Sequence, residues 1–163
     1  VGQFQQWEKE YGYFLAPYTD NTLIRVGFMI SVAVGSLMRY YRVFPDDDLK
    51  GMILRAIDDL VENCQMENGL FYYKELPSLA RLGNNTLLLE AMVIGYELTG
   101  EKKYLEAGRR TFEKTMEESR SGGGTRVQID DAVIWPGEST KGFGQSFLPL
   151  AMFDKACEEA GMR

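Results

Sequence analysis

Apolar residues recur along most of the chain with the 3.6-residue period of an α-helix, and they form two kinds of segment. In the first kind, nearly every side of the helix is apolar, which predicts helices buried on most sides. These segments are residues 21 to 41, 86 to 98 and 145 to 153. In the second kind, apolar residues keep the i, i+3, i+4 spacing of a helix with one buried face. These segments are residues 3 to 11, 49 to 64 and 102 to 118.

The two kinds of segment alternate and pair into helical hairpins that repeat. Adding 55 to the apolar positions of residues 49 to 64 gives the apolar stripe of residues 104 to 119. Short turns at 43 to 47 and 99 to 102 lie within hairpins, whereas the connections between hairpins are long. Because hairpins that stack side by side place all long connections at one end, we expect a functional site at that end, here called the rim.

Local signals predict how the elements begin and which loops contain strands. Thr19, Asp20 and Asn21 offer capping side chains for a helix starting at residue 21, and Asp46 offers one for the next helix. Pro149 is predicted to lie in the first turn of a helix starting at residue 145, where proline is tolerated. Alternating apolar residues predict short β-hairpins in the long connections, at residues 68 to 73 and 126 to 135.

The pattern resembles the (α/α) toroid, or six-hairpin glycosidase-like superfamily, in which buried helices form an inner ring and amphipathic helices an outer one. The resemblance covers residues 20 to 160 and is clearest in LTGEKKYLEAGRRTFEKTMEE, residues 98 to 118. It implies an all-α fold of antiparallel hairpins. Since a complete toroid has ten or more helices, residues 1 to 163 are expected to be one domain forming an incomplete arc, excised from a longer protein.

Composition narrows the range of functions. A net charge of −6 argues against a nucleic-acid partner and against an anionic membrane surface, both of which attract clustered Lys and Arg. The chain contains no His, which excludes His-based catalysis and His-zinc sites within it. Cys64 and Cys157 lack a CxxC partner, so two buried thiols are favoured over a disulfide or a metal site. No metal or cofactor is predicted.

The resemblance implies that a saccharide binds at the rim, and the long connections carry residue types suited to one. Aromatic rings pack against the C–H faces of sugars, and carboxylates bind hydroxyl groups. The expected substrate-binding residues on these connections are Tyr18, Tyr72, Tyr73, Glu75 and Trp135. The alternative for the aromatic residues is that they anchor the loops to the helix ends.

If the chain is catalytic, glycoside hydrolysis by two facing carboxyl groups is the expected reaction. The candidate catalytic residues are Asp130, Asp131 and Glu138. Sequence spacing does not establish such a pair, and adjacent Asp residues also commonly form turns.

Two further substrate-binding candidates lie on the buried helix of residues 86 to 98 and at its rim end. Glu90 stands among apolar residues, so it should pair with an arginine such as Arg25 or Arg39, or point into the central cavity. Asn85 marks the end of the helix that faces the rim.

The leading hypothesis is therefore a carbohydrate-associated toroid domain, glycoside hydrolase-like if it is catalytic. The alternative is a non-catalytic helical module for protein interaction or structural packing. That alternative predicts an exposed apolar patch where further hairpins would pack. Such a patch would be covered by self-association or by the remainder of a larger chain.

Overall fold

The protein is described by a computed structural model that covers residues 1–11, 16–17, 23–74, 82–120, 127–129, 132–134 and 140–162. Within these residues the fold is helical. The helices are α1 (Gly2–Tyr11), α2 (Gly27–Val43), α3 (Asp47–Cys64), α4 (Leu82–Thr99), α5 (Lys102–Arg120) and α6 (Thr140–Glu159).

Four short strands form two antiparallel pairs. β1 (Ala16–Pro17) pairs with β2 (Leu23–Ile24), and β3 (Val127–Ile129) pairs with β4 (Ala132–Ile134). Each strand is two or three residues long, so these pairs add no sheet of consequence to the helical fold.

The helices form two layers. α2, α4 and α6 lie side by side, because α4 packs against both α2 and α6, and we call them the first layer. α3 packs against α2 and α4, while α5 packs against α4 and α6, and these two helices belong to the second layer. The short turns at one end reverse the chain, so all first-layer helices run in one direction and α3 and α5 run in the other. The alternation of buried and half-buried helices predicted from the sequence is confirmed.

The amphipathic stripes follow the predicted register. In α3 the apolar residues that face the core are all buried: Leu49, Met52, Ile53, Ala56, Ile57, Leu60 and Cys64. Residues 55 positions later in α5, including Tyr104, Ala107, Gly108 and Thr111, are buried as well. At the start of α3, Asp46 caps the helix as expected, since its Oδ1 accepts a hydrogen bond from the Leu49 N–H at 2.7 Å.

The predicted start of α2 at residue 21 is wrong. The helix begins at Gly27 after an extended Val26, which makes no side-chain capping bond. Leu23 and Ile24 are extended and pair with β1. The buried guanidinium of Arg25 binds Asp59 of α3 through Nε–Oδ2 at 2.8 Å and Nη2–Oδ1 at 3.0 Å. This tertiary ion pair fixes the approach to α2, and sequence periodicity does not reveal it.

The predicted start of α6 at residue 145 is also wrong. The helix starts at Thr140, so Pro149 lies in its interior rather than in its first turn. The glycines at positions 142 and 144 weaken the local helix signal and conceal this start. Pro149 is buried, so packing compensates for the backbone hydrogen bond that proline cannot donate.

The core consists of two contiguous clusters. The larger one joins α2, α3, α4 and α5 and contains Cys64, and the smaller one joins α4, α5 and α6 and contains Cys157. None of the helices in the described residues is long and apolar enough to cross a membrane.

α1 packs against the hairpin formed by α2 and α3. Arg55 of α3 donates to Glu8 of α1 from Nε at 2.7 Å and from Nη2 at 2.9 Å. Val1 and Gln5 line a cavity of about 350 Å³ together with Tyr40 and Phe44 at the end of α2. α1 is therefore a second-layer helix beside the first hairpin.

Candidate functional site

Between α2 and α4, on the face of the first layer that is turned away from α3 and α5, lies a groove of charged and aromatic residues. On α2 it is formed by Phe28, Val32, Gly35 and Arg39, which share one side of the helix because they follow the i, i+4, i+7, i+11 spacing. On α4 it is formed by Glu90 and Glu97, which are seven residues apart and so share a face. We call this feature the first-layer groove.

Two ion pairs cross the first-layer groove. Arg39 Nη2 donates to Glu90 Oε1 at 3.2 Å, and Arg42 Nη2 donates to Glu97 Oε2 at 2.7 Å. The side chain of Arg39 is 60% exposed, whereas that of Glu90 is 15% exposed. The sequence-based expectation that Glu90 pairs with an arginine is confirmed, and Arg39 is that arginine.

Glu90 can lie across α2 because position 35 is glycine. A β-carbon at this position would stand 2.6 Å from Glu90 Oε1, closer than real contacts allow. Gly35 was not identified from the sequence, although a glycine inside a strongly helical segment is itself a signal of close approach. The carboxylate thus occupies the space that a side chain at position 35 would fill.

The rim end of the groove is aromatic. The ring of Tyr73 stacks on that of Phe28 at a centroid distance of 5.5 Å and an interplanar angle of 11°. Lys74 Nζ lies 5.6 Å from the centroid of the Tyr73 ring, a cation–π arrangement. Tyr72 is 36% exposed beside them. Phe28 and Lys74 were missed as site residues, because Phe28 reads as a core position and Lys74 as a solvated charge.

A buried network of polar groups holds the loop that carries these aromatic residues. Asn85 Oδ1 accepts a hydrogen bond from the Phe71 N–H at 2.6 Å, and the Asn85 side chain is buried. Gln65 Nε2 donates to the carbonyl oxygens of Gly69 and Ala107 at 3.1 and 3.0 Å. The loop of residues 65 to 74 is therefore fixed to α4 and α5 by side-chain amides.

The geometry of Asn85 bears on its predicted role. Its amide group orients the loop, so any effect on a ligand at the groove would act through Phe71 and the residues that follow it. Direct contact between Asn85 and a saccharide stays a prediction.

The structure brings three of the remaining candidates together at the groove, namely Tyr72, Tyr73 and Glu90. The other candidates lie outside the described residues: Tyr18, Glu75, Asp130, Asp131, Trp135 and Glu138. Among the residues that are described, no group of three His, Cys, Asp or Glu side chains is arranged to hold a metal ion.

Two cavities lie elsewhere, between helices of the second layer and their neighbours. One of about 610 Å³ lies between α3 and α5 and includes Glu62, Lys103 and Arg109. Another of about 400 Å³ lies between α5 and α6 and includes Phe112, Phe153 and Met162. Neither contains a residue predicted as a site from the sequence, so the first-layer groove is the better candidate.

Comparisons with known proteins agree with the helical architecture. No protein-family model matches the chain, and no curated protein sequence matches it. Among solved structures the chain is similar to a polysaccharide lyase, with a TM-score of 0.61 and 20% sequence identity over 83% of this chain. The match spans 17% of the length of that lyase. At this level of identity the likeness shows a shared, distantly related helical fold.

Proposed function

We propose that the chain is a carbohydrate-associated helical domain of the (α/α) toroid type, and that a saccharide binds in the first-layer groove. One observation carries the proposal: an ion pair and a set of aromatic rings lie in the same groove, near the ends of α2 and α4 that face the rim. The polysaccharide lyase that shares the fold supports a carbohydrate context without specifying a sugar.

The chemistry of the groove suits a polar ligand that also has apolar faces. Arg39 and Glu90 offer charged donors and acceptors for hydroxyl groups, and such hydrogen bonds are stronger than those between neutral groups. Tyr72 presents an exposed aromatic surface beside the stacked pair of Tyr73 and Phe28. Convergent polar groups next to aromatic surfaces are typical of small-molecule sites.

The helix geometry limits which carboxylates could act together in hydrolysis. Glu90 and Glu97 are seven residues apart on α4, so their backbones are separated by about 10 Å along the helix axis. This exceeds the separation of about 5 to 9.5 Å between the carboxyl groups of glycosidases. Catalysis by Glu90 would therefore need a second carboxylate, and Asp130, Asp131 and Glu138 stay the candidates for it.

Binding can be tested by affinity electrophoresis and calorimetry with a panel of neutral and acidic polysaccharides. The variants Arg39→Gln and Glu90→Gln should weaken binding of a retained polysaccharide at least about tenfold, as expected for losing a charge-assisted contact worth about 1.4 kcal/mol or more.

The chain offers a closely matched control. The Arg55–Glu8 pair has side-chain exposures of 61% and 16%, nearly the same as those of Arg39 and Glu90, but it joins α3 to α1. Arg55→Gln should leave binding unchanged. Equal losses for Arg39→Gln and Arg55→Gln, or the absence of binding to every polysaccharide in the panel, would contradict the proposal.

A further inference from the structure

The first layer has two exposed apolar flanks, one at each end. On α2 the flank consists of Met29, Val32 and Tyr40, with Met29 50% and Val32 49% exposed. On α6 the flank consists of Phe147, Leu148 and Ala151, with Phe147 61% and Leu148 54% exposed. Adjacent large apolar side chains at this level of exposure are typical of surfaces that bind another protein.

The two flanks lie at the same height along the helix axes. Ser31 of α2 donates to the carbonyl oxygen of Leu87 in α4 at 2.7 Å, and the hydroxyl groups of Thr86 and Ser146 are 2.8 Å apart. These bonds align residue 31 of α2 with residue 146 of α6 across the layer. Met29 and Val32 are therefore level with Phe147 and Leu148, and the helices that carry them run in the same direction.

The second layer has a matching feature. α3 contacts both α2 and α4, and α5 contacts both α4 and α6, so a second-layer helix bridges successive first-layer helices. α1 is a second-layer helix that precedes α2 and lies beside it through Val1, Gln5 and Tyr40. In the described residues α1 has no first-layer helix before α2 to bridge, and α6 has no second-layer helix beyond α5.

We propose that a second copy of this chain completes the arrangement, with α6 of each copy packed against α2 of the other. The two-fold axis runs parallel to the helices, so both joints keep the same parallel packing that α2, α4 and α6 already use. In this dimer α1 of one copy bridges its own α2 and the partner copy's α6. Each copy contributes three helices to each layer, and the six first-layer helices form a closed ring. The inference does not depend on saccharide binding.

The joint between unlike flanks gives the test its design. One variant carries Met29→Glu with Val32→Glu, and the other carries Phe147→Glu with Leu148→Glu. Each variant alone has a damaged flank in both of its joints and should be monomeric. In an equimolar mixture, the intact α2 flank of one variant can meet the intact α6 flank of the other, so a heterodimer should form through a single joint.

The masses are measured by size-exclusion chromatography with light scattering and by sedimentation velocity. The unmodified chain should have twice the 18.5 kDa mass of one copy. Phe44→Glu, which alters an exposed apolar residue in the α2–α3 turn outside the joint, should remain dimeric. Circular dichroism checks that every variant stays folded. Since all five substituted residues are exposed, we expect unchanged helical content.

Three outcomes would overturn the proposal. The unmodified chain could be monomeric at all concentrations tested, which would leave the flanks to helices of another polypeptide. One of the two double variants could stay dimeric, which would indicate that like flanks pair with like. The mixture of folded variants could remain monomeric, which would exclude a joint between α2 and α6.

Discussion

Glu90 lies directly against Gly35, so that a β-carbon at position 35 would come within 2.6 Å of the Glu90 carboxylate oxygen. This contact couples helix propensity in α2 to the ion pair in the groove. Alanine is more favourable than glycine inside a helix by about 1 kcal/mol. At position 35, however, alanine would displace the carboxylate from Arg39.

A double-mutant cycle measures this coupling. Gly35→Ala should change the free energy of unfolding little in the unmodified chain, because the gain in propensity is offset by displacement of Glu90. In a Glu90→Ala background the same substitution should stabilise the fold by about 1 kcal/mol. Urea unfolding of the four proteins gives the coupling energy, and strictly additive values would show that Glu90 does not restrict position 35.

Asn85 should contribute to stability through the loop that it holds. Asn85→Ala would leave the N–H of the buried Phe71 without the acceptor it has at 2.6 Å, at a cost of about 1–3 kcal/mol. Asn63→Ala is the control, since it removes an exposed bond to Asp59 and should change stability by about 0.5 kcal/mol or less. Urea unfolding gives both values, and hydrogen exchange at Phe71 should accelerate in the Asn85 variant alone. Equal effects of the two substitutions would argue against a clamping role for Asn85.

Gly108 and Gly144 should respond in opposite ways to replacement by alanine. A β-carbon at Gly108 would lie 2.5 Å from a ring carbon of Phe153, so Gly108→Ala should destabilise the α5–α6 contact by about 1–3 kcal/mol. Gly144 in α6 has no atom within 4 Å of such a position, so Gly144→Ala should stabilise the fold by up to about 1 kcal/mol. Thermal and urea unfolding of both variants test this. Stabilisation by Gly108→Ala would mean that α5 and α6 are farther apart than described.

Tyr104 should make the fold sensitive to alkaline pH. Burial, together with its hydrogen bond to Asp58 at 2.9 Å, raises the pKa of Tyr104 to about 12. Because the folded state holds this proton more tightly than the unfolded state, where the pKa is about 10, the stabilisation is complete below pH 10. It is lost as the pH rises from about 10 towards 12.

Tyr104→Phe removes this proton and tests its contribution. The variant should be less stable than the unmodified chain at neutral pH by about 1 kcal/mol, because it lacks the bond to Asp58. Its stability should also decline less steeply between pH 10 and 12. Urea midpoints measured across that range, with absorbance titration of the tyrosines, provide the data. Parallel declines in the two proteins would exclude Tyr104 as the source.

The sequence by itself determined the helices and their inward faces. The spacing of apolar residues is a local property of each helix, so the stripe of α3 and its copy 55 residues later in α5 could be predicted without any tertiary contact. The same holds for the Asp46 cap and for the short turns, which depend on residues a few positions apart. The need of Glu90 for an arginine also follows from its apolar surroundings.

The tertiary structure alone decided which distant residues meet. The start of α2 depends on Arg25 binding Asp59, 34 residues away, and the choice of Arg39 for Glu90 depends on how closely α2 and α4 approach at Gly35. The stacking of Tyr73 on Phe28 depends on the loop that Asn85 and Gln65 hold in place. The physical reason is the same in each case: these contacts join residues far apart in sequence, and packing between helices, rather than the pattern within one, sets their geometry.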